Sequence, residues 1–173
     1  RLMIAEVDES DKSLLNITPH IAVLNNLEEE HMDTYRDMQD MRDTLMTYLS
    51  RVPHHGAVIY NIDDHNVRSV IGAAHCSLFS YGLEHDAYFT ARDITYQQFQ
   101  LSFTLYAGGR FVGPVTVPLS GRHNVYNTLA VMAACHALGI SLQTVSPHAA
   151  SFRGTGRRLQ KLLSDPERLI IDD

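Results

Sequence analysis

Two cysteines, Cys76 and Cys135, are too few for the disulfide framework of a secreted domain, and a reducing cytoplasm is the expected compartment. No apolar run approaches the roughly 18 residues that a membrane span needs, and there is no signal-peptide pattern. Basic residues are in the minority. Fourteen Lys and Arg against twenty Asp and Glu leave a formal charge of -6, so the sequence lacks the electrostatic footprint of a general nucleic-acid or anionic-membrane binder. An anion would have to be taken by a local site. There is no Gly-x-x-x-x-Gly-Lys-Ser/Thr and no Gly-x-Gly-x-x-Gly, so nothing in these residues cradles a triphosphate by itself. A Gly-x-Ser-x-Gly elbow, a zinc spacing and a redox cysteine motif are missing too. What is present is a one-domain length of 173 residues, 45% of them hydrophobic. Such a chain buries about 70% of its unfolded surface. It opens on Arg1-Leu2-Met3 and stops on Asp172-Asp173, and both ends are expected to be cuts from a longer protein.

The apolar pattern describes an α/β domain. Leu2 to Val7 is a short apolar run breaking into Asp8-Glu9-Ser10-Asp11, and Ile21-Ala22-Val23-Leu24 ends in Asn25-Asn26. Both read as buried strands of a parallel sheet, whose ligands sit beyond the carboxyl ends of the strands. Met38, Met41, Leu45, Met46 and Leu49 recur at helical spacing, with Pro53 and Gly56 closing the element. Ala57 to Ile62 is a third buried strand, Val67 to Ala74 a short helix and Ser77 to Tyr81 a strand. After Gly82 come three β-rich stretches, 88–93, 97–106 and 111–119, with Gly108-Gly109 as a hairpin turn; they predict an antiparallel insertion or flank. His123 to Leu138 is an alanine-rich buried helix ended by Gly139, and a further helix covers about 141–151.

Three constellations could carry chemistry. Glu6, ending the first strand, and His31, following the second, could meet at one sheet edge and hold Mg²⁺ or Mn²⁺ through hard oxygen donors and an imidazole. Taken locally, however, the plainer reading is favoured: Glu28-Glu29-Glu30 is a solvated charge run and His31 a surface histidine, one of ten scattered through the chain. Asn124 and Asn127 lie three apart in the first turn of a helix, so their amides point the same way. Each offers the donor and acceptor that the N6/N7 edge of adenine needs; helix capping is the favoured role for a single asparagine, but two amides on an otherwise apolar helix fit it less well. Arg157-Arg158, after Gly154-Thr155-Gly156, suits a phosphate or carboxylate, or is an exposed basic pair.

Taken together, Ala5 to Asp11, Asn26 with His31 to Tyr35, Gly121 to Asn127 and Phe152 to Arg158 resemble, in order, four motifs of the Mur ligases. These are the ATP-dependent amide-bond-forming enzymes of peptidoglycan synthesis, and the likeness is greatest to their L-alanine-adding branch. The resemblance implies that residues 1–173 are most of the central ATP-binding domain of a three-domain ligase: a mostly parallel sheet flanked by helices, of P-loop type, with an additional small antiparallel sheet. It places the phosphate loop upstream and the third domain downstream. By the same resemblance Glu6 and His31 are magnesium ligands, Asn124 and Asn127 the adenine site, and Arg157 and Arg158 contacts to phosphate or substrate carboxylate. Asp173 would meet the ATP ribose. Substrates would be ATP, UDP-N-acetylmuramate and L-alanine, with Mg²⁺ as cofactor, in the cytoplasm and without nucleic-acid or membrane partners. Glu30, Asn25 and Leu159-Gln160 depart from the family pattern. The alternatives are a murein-recycling ligase that adds a tripeptide to the same nucleotide sugar, and a nucleotide-binding module without catalysis. The chain by itself is expected to be inactive.

Overall fold

Strand residues alternate between two cores, and that alternation organises the domain. The computed structural model describes residues 2–97, 99–152, 154, 160–164 and 169–172. Six strands form one sheet in sequence order: β1 (Ile21–Leu24), β2 (Ala57–Asn61), β3 (Ser77–Gly82), β4 (Phe89–Gln97), β5 (Gln100–Ala107) and β6 (Arg110–Val117). The pairings from β1 to β4 are parallel, and those of β4 with β5 and β5 with β6 are antiparallel. The antiparallel stretch is thus a flank that continues the main sheet. Its β5–β6 hairpin turns at Gly108 and Gly109, whose φ of 56° and 74° lie where a side chain is disfavoured.

The parallel strands are joined through α1 (Met38–Ser50) and α2 (His65–Val70), the latter running on into a 3₁₀ turn at Ile71–Ala73. On one face Ala22, Leu24 and Val58 pack with Met41, Leu49, Val67 and Val70 of those helices. On the other, Ile59, Tyr81 and Phe89 pack with Leu129, Met132 and Ala133 of α3 (Arg122–Ala137), beside α4 (Leu142–Ala149). Cover on both sides explains why Ala57, Val58 and Ile59 are all buried. Helix α3 stops as the sequence indicates. Gly139, at φ 73°, donates to the His136 carbonyl while Ile140 donates to that of Cys135, the Schellman arrangement. A separate two-stranded sheet pairs β7 (Gln160–Ser164) with β8 (Leu169–Asp172).

Leu2 to Val7 is not a buried strand: Leu2, Met3 and Ile4 are 66%, 90% and 93% exposed, and the segment takes no part in the sheet. An apolar run becomes a strand only where a neighbour pairs its backbone, and among the described residues β1 pairs only with β2. Val7 alone of this run packs against the core.

Candidate functional site

The carboxyl ends of β1 and β2 carry polar loops, and a small set of buried contacts shapes them. Tyr81, fully buried, donates from its hydroxyl to the Asn25 side chain (2.7 Å) and to the Leu24 carbonyl (3.1 Å), fixing the chain as it leaves β1. Asn66 donates to the Leu27 carbonyl at 2.8 Å, which ties the next turn to α2. Asp64 caps that helix by accepting from Val67 N at 2.8 Å.

His31 follows this loop with φ 58°, a left-handed conformation held by its own carbonyl, which accepts from the amides of Thr34 and Tyr35. Tyr35 is buried, and its hydroxyl donates to the Glu9 carbonyl at 2.6 Å. That bond draws the acidic segment against the histidine. His31 Nε2 lies 3.4 Å from Glu9 Oε1, and Asp8, Glu9 and His31 offer ligand atoms all within 4.8 Å of one another, the one such His, Cys, Asp or Glu group among the described residues. Asp8 is exposed, and its carboxyl is held low chiefly by its hydrogen bonds with Ser10. Two carboxylates and an imidazole are a donor set that suits a hard divalent cation. Glu6 is exposed and stands outside this group, so the structure brings His31 to Asp8 and Glu9 rather than to Glu6.

Asn124 and Asn127 stand together in the first turns of α3. Asn124 Nδ2 donates to the Ser120 carbonyl at 2.6 Å, and Asn127 Nδ2 reaches Asn124 Oδ1 at 3.5 Å. Asn124 therefore does help to tie the helix start, while Asn127 is exposed. A cleft of about 680 Å³ opens beside this helix start, lined by Leu83, Tyr96, Ser120, Gly121 and Arg122 among others. Arg157, Arg158 and Asp173 lie outside the described residues.

Asp63 is the residue that sequence reading missed. Its side chain is 7% exposed. It accepts from the amides of Leu83 (2.6 Å), Glu84 (3.0 Å) and His85 (2.9 Å), from His85 Nδ1 (2.9 Å) and from the Tyr126 hydroxyl (2.8 Å). Burial alone would raise its pKa, but the bonds from Leu83, His85 and Tyr126 outweigh it and hold the carboxyl down at about 2. The available signal was the apolar run Ala57 to Ile62 breaking into Asp63-Asp64 at a strand end, the same cue that marked Glu6.

A two-core α/β sheet with acid-rich strand ends and a paired-asparagine helix is what the sequence motifs imply, and the profile of the Mur ligase middle domain matches residues 1–135. The chain belongs to the Mur ligase middle-domain family. UDP-N-acetylmuramate–L-alanine ligases are among its curated relatives: that of Geotalea uraniireducens is 32% identical over all of this chain and 38% of its own length. That of Burkholderia ambifaria is 38% identical over 99% of this chain and 38% of its own length. The solved UDP-N-acetylmuramate-alanine ligase of Thermotoga maritima, 22% identical, superposes with a TM-score of 0.82 over 96% of this chain and 37% of that one, which shows the shared fold. This Mur ligase middle domain thus spans little more than a third of the length of those relatives. No helix among its described residues is long and apolar enough to cross a membrane.

Proposed function

We propose that this chain is most of the central, ATP-binding domain of a cytoplasmic ligase that joins L-alanine to UDP-N-acetylmuramate in peptidoglycan synthesis. The observation that carries the reading is the convergence of His31 with the carboxylates of Asp8 and Glu9 in a Mur ligase middle-domain fold. ATP transfers its γ-phosphoryl group to the lactyl carboxylate of the nucleotide sugar. The amine of L-alanine then attacks the acyl carbon, and phosphate leaves with one of the former carboxylate oxygens.

In this reading His31 and carboxylates of the 6–9 segment would hold Mg²⁺, Glu6 by its place in the motif and Asp8 and Glu9 by their nearness. The bound cation would supply charge neutralisation on the phosphoryl oxygens. Asn124 and Asn127 bind and orient the adenine through paired amides. Arg157 and Arg158 clamp phosphate or substrate carboxylate, and Asp173 accepts from the ATP ribose. No side chain serves as a nucleophile, because the substrate's own carboxylate attacks; catalysis rests on position and charge. The phosphate loop would come from sequence upstream of Arg1 and the closing domain from sequence beyond Asp173.

The test is nucleotide turnover by the full-length protein carrying this chain. With UDP-N-acetylmuramate present, ADP release is expected to require L-alanine and to run at least about tenfold faster with it than with a tripeptide bearing an N-terminal L-alanine, a difference of about 1.4 kcal/mol in activation free energy. Preferential use of the tripeptide would assign the chain to the recycling branch. No turnover with either would point to a binding module.

A further inference from the structure

We infer that Asp63 and Tyr126 are positioning residues for nucleotide recognition, holding the first turns of α3 so that the Asn124 and Asn127 amides stand ready for a purine edge. The inference rests on the adenine reading of those asparagines given above. Tyr126 sits between them in sequence, and its hydroxyl reaches back to a carboxylate on a different element, the end of β2.

That carboxylate has few degrees of freedom. Three successive backbone amides and the His85 ring already hold it, so it is a fixed post and not a mobile surface acid. Gly82 allows this close approach. A Cβ there would stand 2.9 Å from both Asp63 oxygens and 2.8 Å from Ile62 Cγ2, closer than atoms tolerate.

Helix α3 needs such a post. Its N-cap is Gly121, at φ 95° and without a side-chain cap, so the usual fastening of a helix start is missing. Besides the local Asn124 bond to the Ser120 carbonyl, two cross-links to other elements fasten it: Tyr126 to Asp63, and Arg122 to Glu84 at 2.7 Å in the same loop that wraps Asp63. The Arg122 pair is exposed on both sides and so weakly held. The Tyr126 bond, to a charged and nearly buried acceptor, is the stronger fastening. Since Asn124 commits its Nδ2 to Ser120 and Asn127 leans on Asn124, a small rotation of the helix start would move both amides together.

The experiment uses the full-length protein with the variants Tyr126→Phe, Asp63→Asn and Asn127→Ala, reading kcat and KM for ATP, GTP and L-alanine. Tyr126→Phe and Asp63→Asn are expected to raise KM for ATP about three- to tenfold, to narrow the preference for ATP over GTP, and to leave KM for L-alanine unchanged. In the Asn127→Ala background Tyr126→Phe is expected to add nothing further, as for residues acting through one another. A merely structural role would lower the active fraction, and with it kcat, without touching nucleotide preference. If Asn127→Ala loses the preference while Tyr126→Phe keeps it and the ATP KM, the positioning role is wrong and the adenine reading stands. If Asn127→Ala also changes neither, the adenine reading fails and the inference falls with it. Tyr126→Phe removes a single hydroxyl, so the test stands even where Asp63→Asn fails to fold.

Discussion

His31 adopts a backbone conformation that costs a non-glycine residue on the order of 1 kcal/mol, and it does so beside two carboxylates. Strain of this kind persists where surrounding contacts impose it, and here they are identifiable: the Thr34 and Tyr35 amides on the His31 carbonyl, and the Tyr35 hydroxyl on Glu9. The local sequence allowed His31 to be an incidental surface histidine. In the structure Glu9 lies 3.4 Å from its ring, and ligand atoms of Asp8, Glu9 and His31 all lie within 4.8 Å of one another, the geometry on which the proposed metal-ligand role rests. In the full-length protein, His31→Ala is expected to raise the Mg²⁺ concentration for half-maximal turnover about tenfold or more, by analogy with the loss of well-placed metal-site groups. An unchanged magnesium dependence in His31→Ala would sink the assignment. Glu9→Ala in the same titration decides whether the carboxylate nearest His31 in the structure, or Glu6 of the motif, is the working ligand. The sequence paired His31 with Glu6, whereas the structure sets Glu9 and Asp8 nearest to it, since that placement depends on how Tyr35 draws the segment in.

At the scale of elements, Asp63 joins the end of β2, the loop after β3 and helix α3. Because its folded-state pKa is about 2 against an ordinary 3.8, the unfolded chain binds the proton more readily than the folded one. The stabilisation is therefore fully present above the ordinary carboxylate range and lost as pH falls through about 4 towards 2. Its size is about 2 kcal/mol. Urea unfolding of the wild-type protein and Asp63→Asn at a series of pH values tests this. The variant should be less stable by about 2 kcal/mol at pH 7, with the gap closing below about pH 4. A gap that stays constant from pH 7 to pH 3 would contradict the account. The elements themselves were mostly legible, because local rules agree with the fold: Gly108-Gly109 gives the hairpin, Gly139 the end of α3, and apolar runs give β1 and β2. Asp63 was harder, since its partners lie some twenty or more residues further along and no periodicity connects them. Leu2 to Val7 misled for a related reason. Apolar character reports a preference for burial, but the pairing neighbour that would satisfy it is a property of the whole sheet.

At the scale of the molecule, the family and the two-core sheet follow from the profile match and the topology. The activity is a proposal for a protein of which this chain spans little more than a third of its relatives' length. The net charge of -6 belongs to these 173 residues and does not describe how a longer enzyme would handle anionic substrates. Local charge matters more. In the proposed reaction one oxygen of the lactyl carboxylate must leave with phosphate, and this gives the most direct test of the central claim. UDP-N-acetylmuramate labelled with ¹⁸O in that carboxylate is supplied with ATP, Mg²⁺ and L-alanine to the full-length protein, and the released inorganic phosphate is analysed by mass. One carboxylate oxygen is expected in phosphate for each amide bond formed; amide formation with unlabelled phosphate, or ADP release without amide, would rule out the acyl-phosphate route.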